Sequence, residues 1–135
     1  MRGYLLISHG TYATALKSSL AMITGELDSV FAVGLEPSDG PETFGAKLDA
    51  QLANMTAYEE IIVFTDLLGG SPGNAAVTKF MSDPRVHIVA GMNFPMLLNT
   101  VLSEGISIDA VVQSGKDGIV DVKAFILASS SDVDE

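Results

Sequence analysis

Apolar blocks along the chain alternate with stretches of helical periodicity, and polar turn residues separate them. Four short runs are almost continuously apolar, which is typical of strands buried on both faces of a sheet. These predicted strands comprise residues 3–8, 29–35, 60–66 and 86–92. Between the runs, apolar residues recur at helical spacing, which predicts helices that cover the sheet.

Glycine, proline and hydroxyl residues mark the ends of the predicted helices. The helices comprise residues 12–24, 41–55, 72–82 with Ser71 as the cap, a helix that begins at Asn93 or Phe94, and 107–114. A turn at 115–118 leads to a dense apolar run at 119–127, which predicts a fifth strand. This order predicts a three-layer α/β domain with an open sheet, whose four parallel strands take the common order 2-1-3-4.

Length and composition are those of one folded domain. The chain has 135 residues, 47% hydrophobic and 18% charged, and a domain takes roughly 100–200 residues. We assign residues 1–128 to the domain and the Ser- and Asp-rich residues 129–135 to an acidic, disordered tail. The apolar runs are shorter than the roughly 18 residues of a membrane span or the ~7–15 of a secretion signal core. We therefore expect a cytoplasmic protein without membrane insertion.

Charge and residue usage exclude several classes of function. Nucleic acids and anionic membranes attract clustered Lys and Arg, whereas this chain has 7 Lys+Arg against 17 Asp+Glu and a net charge of −10. The absence of cysteine excludes disulfides, iron–sulfur clusters and thiol nucleophiles. The two histidines lack the spacing of metal ligands. We expect no nucleic-acid binding, no metal and no cofactor.

Two polar residues follow the first and third predicted strands, where an open α/β sheet of this order binds its ligands. His9 follows the first strand and Asp66 ends the third. A carboxylate that accepts the proton of one ring nitrogen fixes the tautomer and leaves the other nitrogen as a nucleophile. Either residue alone would be an ordinary surface or turn residue, but their pairing at this edge favours a function.

Two predicted helices also begin at this edge, and their N-termini favour an anion there. Glycines let the backbone approach such an anion closely. The predicted phosphoryl-binding residues are Gly10, Thr11, Gly69, Gly70 and Ser71. They do not form a P-loop, because the Gly-Lys-Ser/Thr signature is absent. An imidazole, a carboxylate and an anion cradle together predict a phosphorylated histidine.

Three stretches of the chain resemble the IIA component of the mannose-class sugar phosphotransferase system (PTS) of bacteria, which includes mannose, fructose, sorbose and N-acetylgalactosamine systems. They are residues 7–10 with Ala13, residues 65–76 and residues 90–98. The resemblance implies that His9 is phosphorylated on the ring nitrogen remote from the backbone and that Asp66 orients the ring. It also implies a donor, the histidine-containing phosphocarrier protein HPr, and an acceptor histidine on the IIB component, which serves the membrane components IIC and IID.

The resemblance further implies a homodimer in which the last strand, residues 119–127, runs antiparallel to the others and is exchanged between subunits. The rim of the site is predicted to be neutral and apolar, with Asp66 as the only acid and that one turned inward. The candidate partner contacts on this rim are Leu67, Leu68, Phe94 and Met96. The first two depart from the polar–aromatic pair that many family members carry there.

Other functions remain open at this stage. The phosphocarrier subunit of a dihydroxyacetone kinase shares the fold and the histidine chemistry. A receiver-like signalling module would be phosphorylated on Asp66, but receivers carry acidic residues after the first strand, where this chain has Ser8 and His9. A flavodoxin-like ligand module is less favoured, because the loops offer no aromatic pair for a flavin. His87, inside the fourth predicted strand, is interpreted as structural.

Overall fold

A computed structural model describes residues 1–134, with side chains as far as residue 130. Its sheet has four parallel strands: β1 (Arg2–His9), β2 (Val30–Leu35), β3 (Glu60–Thr65) and β4 (Val86–Ala90). Their order is β2-β1-β3-β4, and all three pairings are parallel. The predicted strand order is therefore confirmed.

Helices cover both faces of the sheet. They are α1 (Tyr12–Thr24), α2 (Pro41–Ala53), α3 (Ser71–Phe80), α4 (Phe94–Leu102) and α5 (Ile108–Asp117). A further helix, α6 (Val122–Asp134), has exposed side chains as far as residue 130. Side chains of α1, α4 and α5 pack in one core cluster, and side chains of α2 and α3 pack in the other. Alternate residues of β1 enter the two clusters, with Leu6 on one face and Leu5 and Ile7 on the other. The result is the predicted three-layer domain.

Side chains cap α4 and α5, whereas α3 lacks the cap that the sequence predicts. The Asn93 side chain accepts from the Met96 backbone N–H at the start of α4, and Ser107 caps α5. Ser71 was predicted to cap α3, but it is the first residue of that helix. The residue that precedes it, Gly70, is extended and takes the N-cap position without a side-chain hydrogen bond.

The C-terminal segment is where the secondary-structure prediction is wrong. Residues 115–118 do not form a turn, because α5 continues to Asp117. Residues 119–127 do not form a strand, because most of them lie in α6. The Asp121 carboxylate accepts from the Ala124 backbone N–H at 3.1 Å and so caps this helix. In a continuous apolar run, the spacing of apolar residues does not distinguish a strand from a helix. Here the cap favours the helix.

Helix α6 extends beyond residue 128, the predicted end of the domain. That boundary and the disordered tail stay predictions, and Glu135 lies outside the described residues. Among residues 1–134, no helix has both the length and the apolar character that crossing a bilayer requires.

Candidate active site

His9 and Asp66 are hydrogen-bonded at the carboxyl edge of the sheet. His9 ends β1, and Asp66 directly follows β3, which pairs with β1. The His9 ring nitrogen Nδ1 lies 2.8 Å from Asp66 Oδ2. The His9 backbone N–H donates to the same oxygen at 2.9 Å. The carboxylate therefore holds both the backbone and the ring of the histidine, while the histidine side chain stays 47% exposed.

The electrostatics of Asp66 determine the tautomer of the ring. Burial by itself would raise the pKa of the Asp66 carboxyl. Hydrogen bonds from the His9 backbone and ring and from the Leu67 backbone together lower this pKa by more than burial raises it. The net pKa lies below the ordinary value of an aspartate. An ionised carboxylate only accepts hydrogen bonds, so the proton of a neutral His9 ring sits on Nδ1. The remote nitrogen, Nε2, then carries the lone pair of a nucleophile.

The ring of His9 lies against the backbone of Gly70, at the start of α3. A Cβ atom placed on Gly70 would approach His9 Cε1 to 2.7 Å and Nε2 to 3.4 Å. Only a residue without a side chain allows the helix to begin so close to the ring. The first turn of α3 has backbone N–H groups without acceptors in the helix, which favours an anion beside Nε2.

The other residues of the predicted cradle occupy the two loops that flank the ring. Gly69 has a positive φ of 84° and Gly10 one of 55°, a region in which glycine is at ease. Thr11 is exposed and precedes α1 without a side-chain capping bond. Ser71 is exposed at the start of α3. The structure thus gathers all five residues at the carboxyl edge, near the histidine.

Ser8 and Tyr12 also belong to this region, although the sequence pattern does not single them out. The buried Ser8 hydroxyl accepts from the Ala13 backbone N–H at 2.8 Å. Ser8 therefore caps α1 in place of Thr11. The Tyr12 hydroxyl donates to the Met92 carbonyl at 2.8 Å and ties α1 to the loop after β4. Both residues lie within three positions of His9 in the sequence, and residues that follow a strand end lie near its edge.

The predicted apolar rim is present in part. Leu68 is 88% exposed and Leu67 49% exposed in the loop after Asp66. Phe94 is half-buried. Met96, predicted as a partner contact, is only 4% exposed and packs in the core. Its place on the inner face of α4 removes it from the rim.

The rim is also less neutral than the sequence prediction. Glu36 and Asp39 follow β2 at the same carboxyl edge as His9. Lys47 offsets them, since its Nζ lies 2.6 Å from Asp39 and 3.9 Å from Glu36. The hydrogen bond from Lys47 holds the pKa of Asp39 below its usual range. The sequence of the β2–α2 loop indicates a turn and does not reveal that the loop lies at the edge of the site.

The second histidine lies in a different environment. His87 Nε2 is 3.2 Å from Glu60 Oε2, and Glu60 also forms an ion pair with Arg2. Glu60 is the first residue of β3 and His87 the second of β4, so the pair lies toward the amino edge of the sheet. Within residues 1–134, no three or more His, Cys, Asp or Glu residues form a group that could hold a metal ion.

Together, the fold and the site define an open α/β protein with a candidate nucleophilic histidine at the point where the strand order reverses. Residues 3–115 match the family model described as the PTS system fructose IIA component. The chain belongs to this family, the mannose-class IIA components of the bacterial sugar phosphotransferase system. Its members are phosphotransferase-type proteins of sugar transport, and the family implies interaction with IIB components.

Two curated relatives illustrate the similarity. The fructose-specific EIIA component of Bacillus subtilis is 33% identical over 101 residues, which cover 75% of this chain and 69% of that protein. The mannose-specific EIIAB component of Escherichia coli K12 is 31% identical over 123 residues, or 87% of this chain. That alignment spans only 38% of the longer Escherichia coli protein.

Solved structures show the same fold. The PTS IIA protein associated with the fucose utilization operon of Streptococcus pneumoniae superposes with a TM-score of 0.86 at 32% identity, covering 93% of this chain and 96% of that one. The mannose/sorbose-specific IIA subunit from Enterococcus faecalis gives a TM-score of 0.77 at 30% identity, with 88% and 92% covered.

Proposed function

We propose that this chain is a phosphocarrier that accepts a phosphoryl group on His9 from HPr and passes it to a histidine of a IIB component. The observation that carries the proposal is the 2.8 Å hydrogen bond between His9 Nδ1 and Asp66, which leaves Nε2 as the nucleophile. Membership of the PTS IIA family supports the same assignment. The IIB component would in turn supply the membrane components IIC and IID.

The proposed transfer needs no movement of a proton. The Nε2 lone pair of His9 forms the new bond to phosphorus while the phosphorus–nitrogen bond of the donor histidine breaks. The electron pair of that bond returns to the donor ring. The His9 ring gains positive charge and keeps its Nδ1 proton, which the Asp66 carboxylate stabilises. Transfer to the IIB histidine is the reverse of this step with another partner.

The incoming phosphoryl group would lie against the start of α3. The helix N-terminus contributes backbone N–H donors and a favourable dipole, an effect of about 0.3–1 kcal/mol at exposed sites. Gly70 and Ser71 stand at this N-terminus, and Gly10, Thr11 and Gly69 would complete the cradle from the neighbouring loops. The exposed Leu67 and Leu68 and the half-buried Phe94 are the proposed contacts for HPr.

We also propose that the chain forms a homodimer through its C-terminal segment. Helix α6 exposes a dense set of large apolar side chains, among them Val122, Phe125 and Ile126. Large apolar side chains exposed together on one helix are typical of a protein–protein interface. Sedimentation should give a dimer at micromolar concentration, and a stable monomer there would contradict the proposal. The cytoplasmic location predicted from the sequence stays a prediction.

The direct test is phosphorylation of the wild-type chain by phosphorylated HPr, followed by mass mapping of the modified residue. We expect a single phosphoryl group on His9, stable in base and lost in acid, as for a phosphohistidine. A base-labile group on Asp66 would instead support the receiver-like alternative. Because both the backbone and the ring of His9 already bind the Asp66 carboxylate, this alternative is disfavoured. If the phosphorylated chain passes its phosphoryl group to the partner subunits of a dihydroxyacetone kinase and not to a IIB component, the dihydroxyacetone kinase alternative is favoured.

A further inference from the structure

Gly34 of β2 lies beside the turn that follows His9. In the parallel pairing of β1 with β2, Gly34 is opposite Ser8, and Leu35 is opposite His9. A Cβ atom placed on Gly34 would collide with the carbonyl oxygen of Gly10 and would lie 3.0 Å from its carbonyl carbon. Both of those atoms belong to the backbone, so no side-chain rotation could relieve the collision. The Gly10 carbonyl occupies the space that any other residue at 34 would fill.

The strand β2 holds the turn through a second contact. The Gly10 backbone N–H donates to the Leu35 carbonyl at 2.7 Å. The peptide unit that follows His9 is therefore fixed on the β2 side, while Asp66 Oδ2 fixes the His9 backbone N–H and ring on the β3 side. A displacement of Gly10 would have to stretch the bonds between His9 and Asp66, because the two residues are adjacent in the chain.

We infer that Gly34 is a positioning residue for His9: its missing side chain admits the Gly10 carbonyl and so sets the geometry of the His9–Asp66 pair. The inference rests on the proposed function, because the reaction is the transfer to His9. Gly34 is not one of the residues that surround the ring, and it acts through the Gly10 backbone. Displacement of a reacting group by about 1 Å reduces rates by up to about 100-fold.

The test compares Gly34→Ala with Gly45→Ala, a matched change in α2 where a new Cβ would meet nothing within 4 Å. In folded Gly34→Ala, we expect phosphoryl acceptance at saturating HPr to fall by about 10- to 100-fold, with the KM for the donor unchanged. The ¹⁵N resonances of the His9 ring should report loss of the single Nδ1–H tautomer. Gly45→Ala should match wild type in both measurements.

Wild-type rate and tautomer in a folded Gly34→Ala variant would overturn the inference. If that variant does not fold, Gly10→Ala displaces the same turn, because its φ of 55° strains alanine while the Cβ itself meets nothing within 4 Å. Gly10→Asn tolerates this region better and should recover the wild-type tautomer. A Gly10→Ala chain with the wild-type tautomer would again overturn the inference; the rate of this variant is not used, because Gly10 also belongs to the proposed cradle. The tautomer is measured without HPr, so failure of the proposed function would appear separately, as a wild-type chain that HPr does not phosphorylate.

Discussion

Two histidine–carboxylate pairs lie within residues 1–134, and their surroundings differ. His9 meets Asp66 at the carboxyl edge of the sheet, whereas His87 meets Glu60 toward the amino edge. Asp66 receives its other hydrogen bonds from backbone N–H groups and the Thr65 hydroxyl, none of which carries a charge, so the imidazole is the only one of these partners that can become positive. Glu60 forms an ion pair with Arg2, which already neutralises its charge. A carboxylate near a histidine is therefore not sufficient for a nucleophile; the other partners of the carboxylate decide.

The nitrogen that each pair leaves over also differs. Asp66 binds Nδ1 and leaves Nε2, the nitrogen farther from the backbone, beside the start of α3. Glu60 binds Nε2 of His87, so the remaining nitrogen is Nδ1, close to the main chain of β4. A phosphoryl group on that nitrogen would lie against β4, the strand that carries His87, and β4 itself offers no helix N-terminus. The first pair suits group transfer, and the second suits the structural role predicted for His87.

The largest expected effect separates the two histidines. His9→Ala should lose phosphoryl acceptance from HPr, because it removes the nucleophile itself. His87→Ala should be phosphorylated at close to the wild-type rate, with a small loss of stability. Gel or mass detection of the phosphorylated chain measures both. Phosphorylation of His9→Ala at the wild-type rate would mean that another residue accepts the phosphoryl group.

The next effect separates the two carboxylates. Asp66→Asn should slow transfer by about 100-fold or more, because the amide can donate to Nδ1 and favour the wrong tautomer. Glu60→Gln makes the same chemical change at the second pair and should leave the rate near that of wild type. Stopped-time phosphorylation in both directions gives the comparison. Equal rates for Asp66→Asn and wild type would mean that Asp66 has only a structural role in the turn after β3.

The sequence predicts the first pair and not the second for a physical reason. The ends of parallel strands meet at one edge, so His9 and Asp66 can be placed together from strand order alone. Glu60 and His87 lie near the amino ends of β3 and β4, and the rule for ligand sites covers only the carboxyl ends, so it does not single them out. The collision that makes Gly34 necessary arises from a turn conformation that no residue pattern specifies. The C-terminal run was mistaken for a strand because its apolar residues lack a period.

A smaller effect is expected at the rim, which borders only the first pair. Leu68→Asp should raise the HPr concentration needed for half-maximal transfer by about tenfold, because a charge replaces a candidate apolar contact in an acidic chain. Met22→Asp is a matched control, since Met22 on α1 is equally exposed at 88%. Both variants should sediment like wild type. A Leu68→Asp chain with wild-type dependence on donor concentration would remove the rim from the model of recognition.

The smallest effect concerns the pH dependence of stability at the second pair. The hydrogen bond from Arg2 lowers the pKa of Glu60, burial opposes it, and His87 adds to the lowering. A carboxyl whose pKa is lower in the folded state stabilises the fold above its ordinary, unfolded pKa, and this contribution is lost as the pH falls through the folded pKa. Because Glu60 is partly exposed, the contribution should be about 1 kcal/mol or less.

Chemical unfolding of wild type and Glu60→Gln at pH 7 and at pH 3 measures this contribution. The free energies of unfolding should differ more at pH 7 than at pH 3, because the contribution of Glu60 is lost as the pH falls toward its lowered pKa. Glu59→Gln is the matched control, because the exposed Glu59 carboxylate lies 3.9 Å from the N-terminal amine and gains little from so long a contact. That variant should unfold like wild type at both values. If Glu60→Gln and wild type differ equally at the two pH values, Glu60 stabilises the fold through packing and not through its charge. The second pair would then lack the electrostatic interaction that is proposed for the first pair.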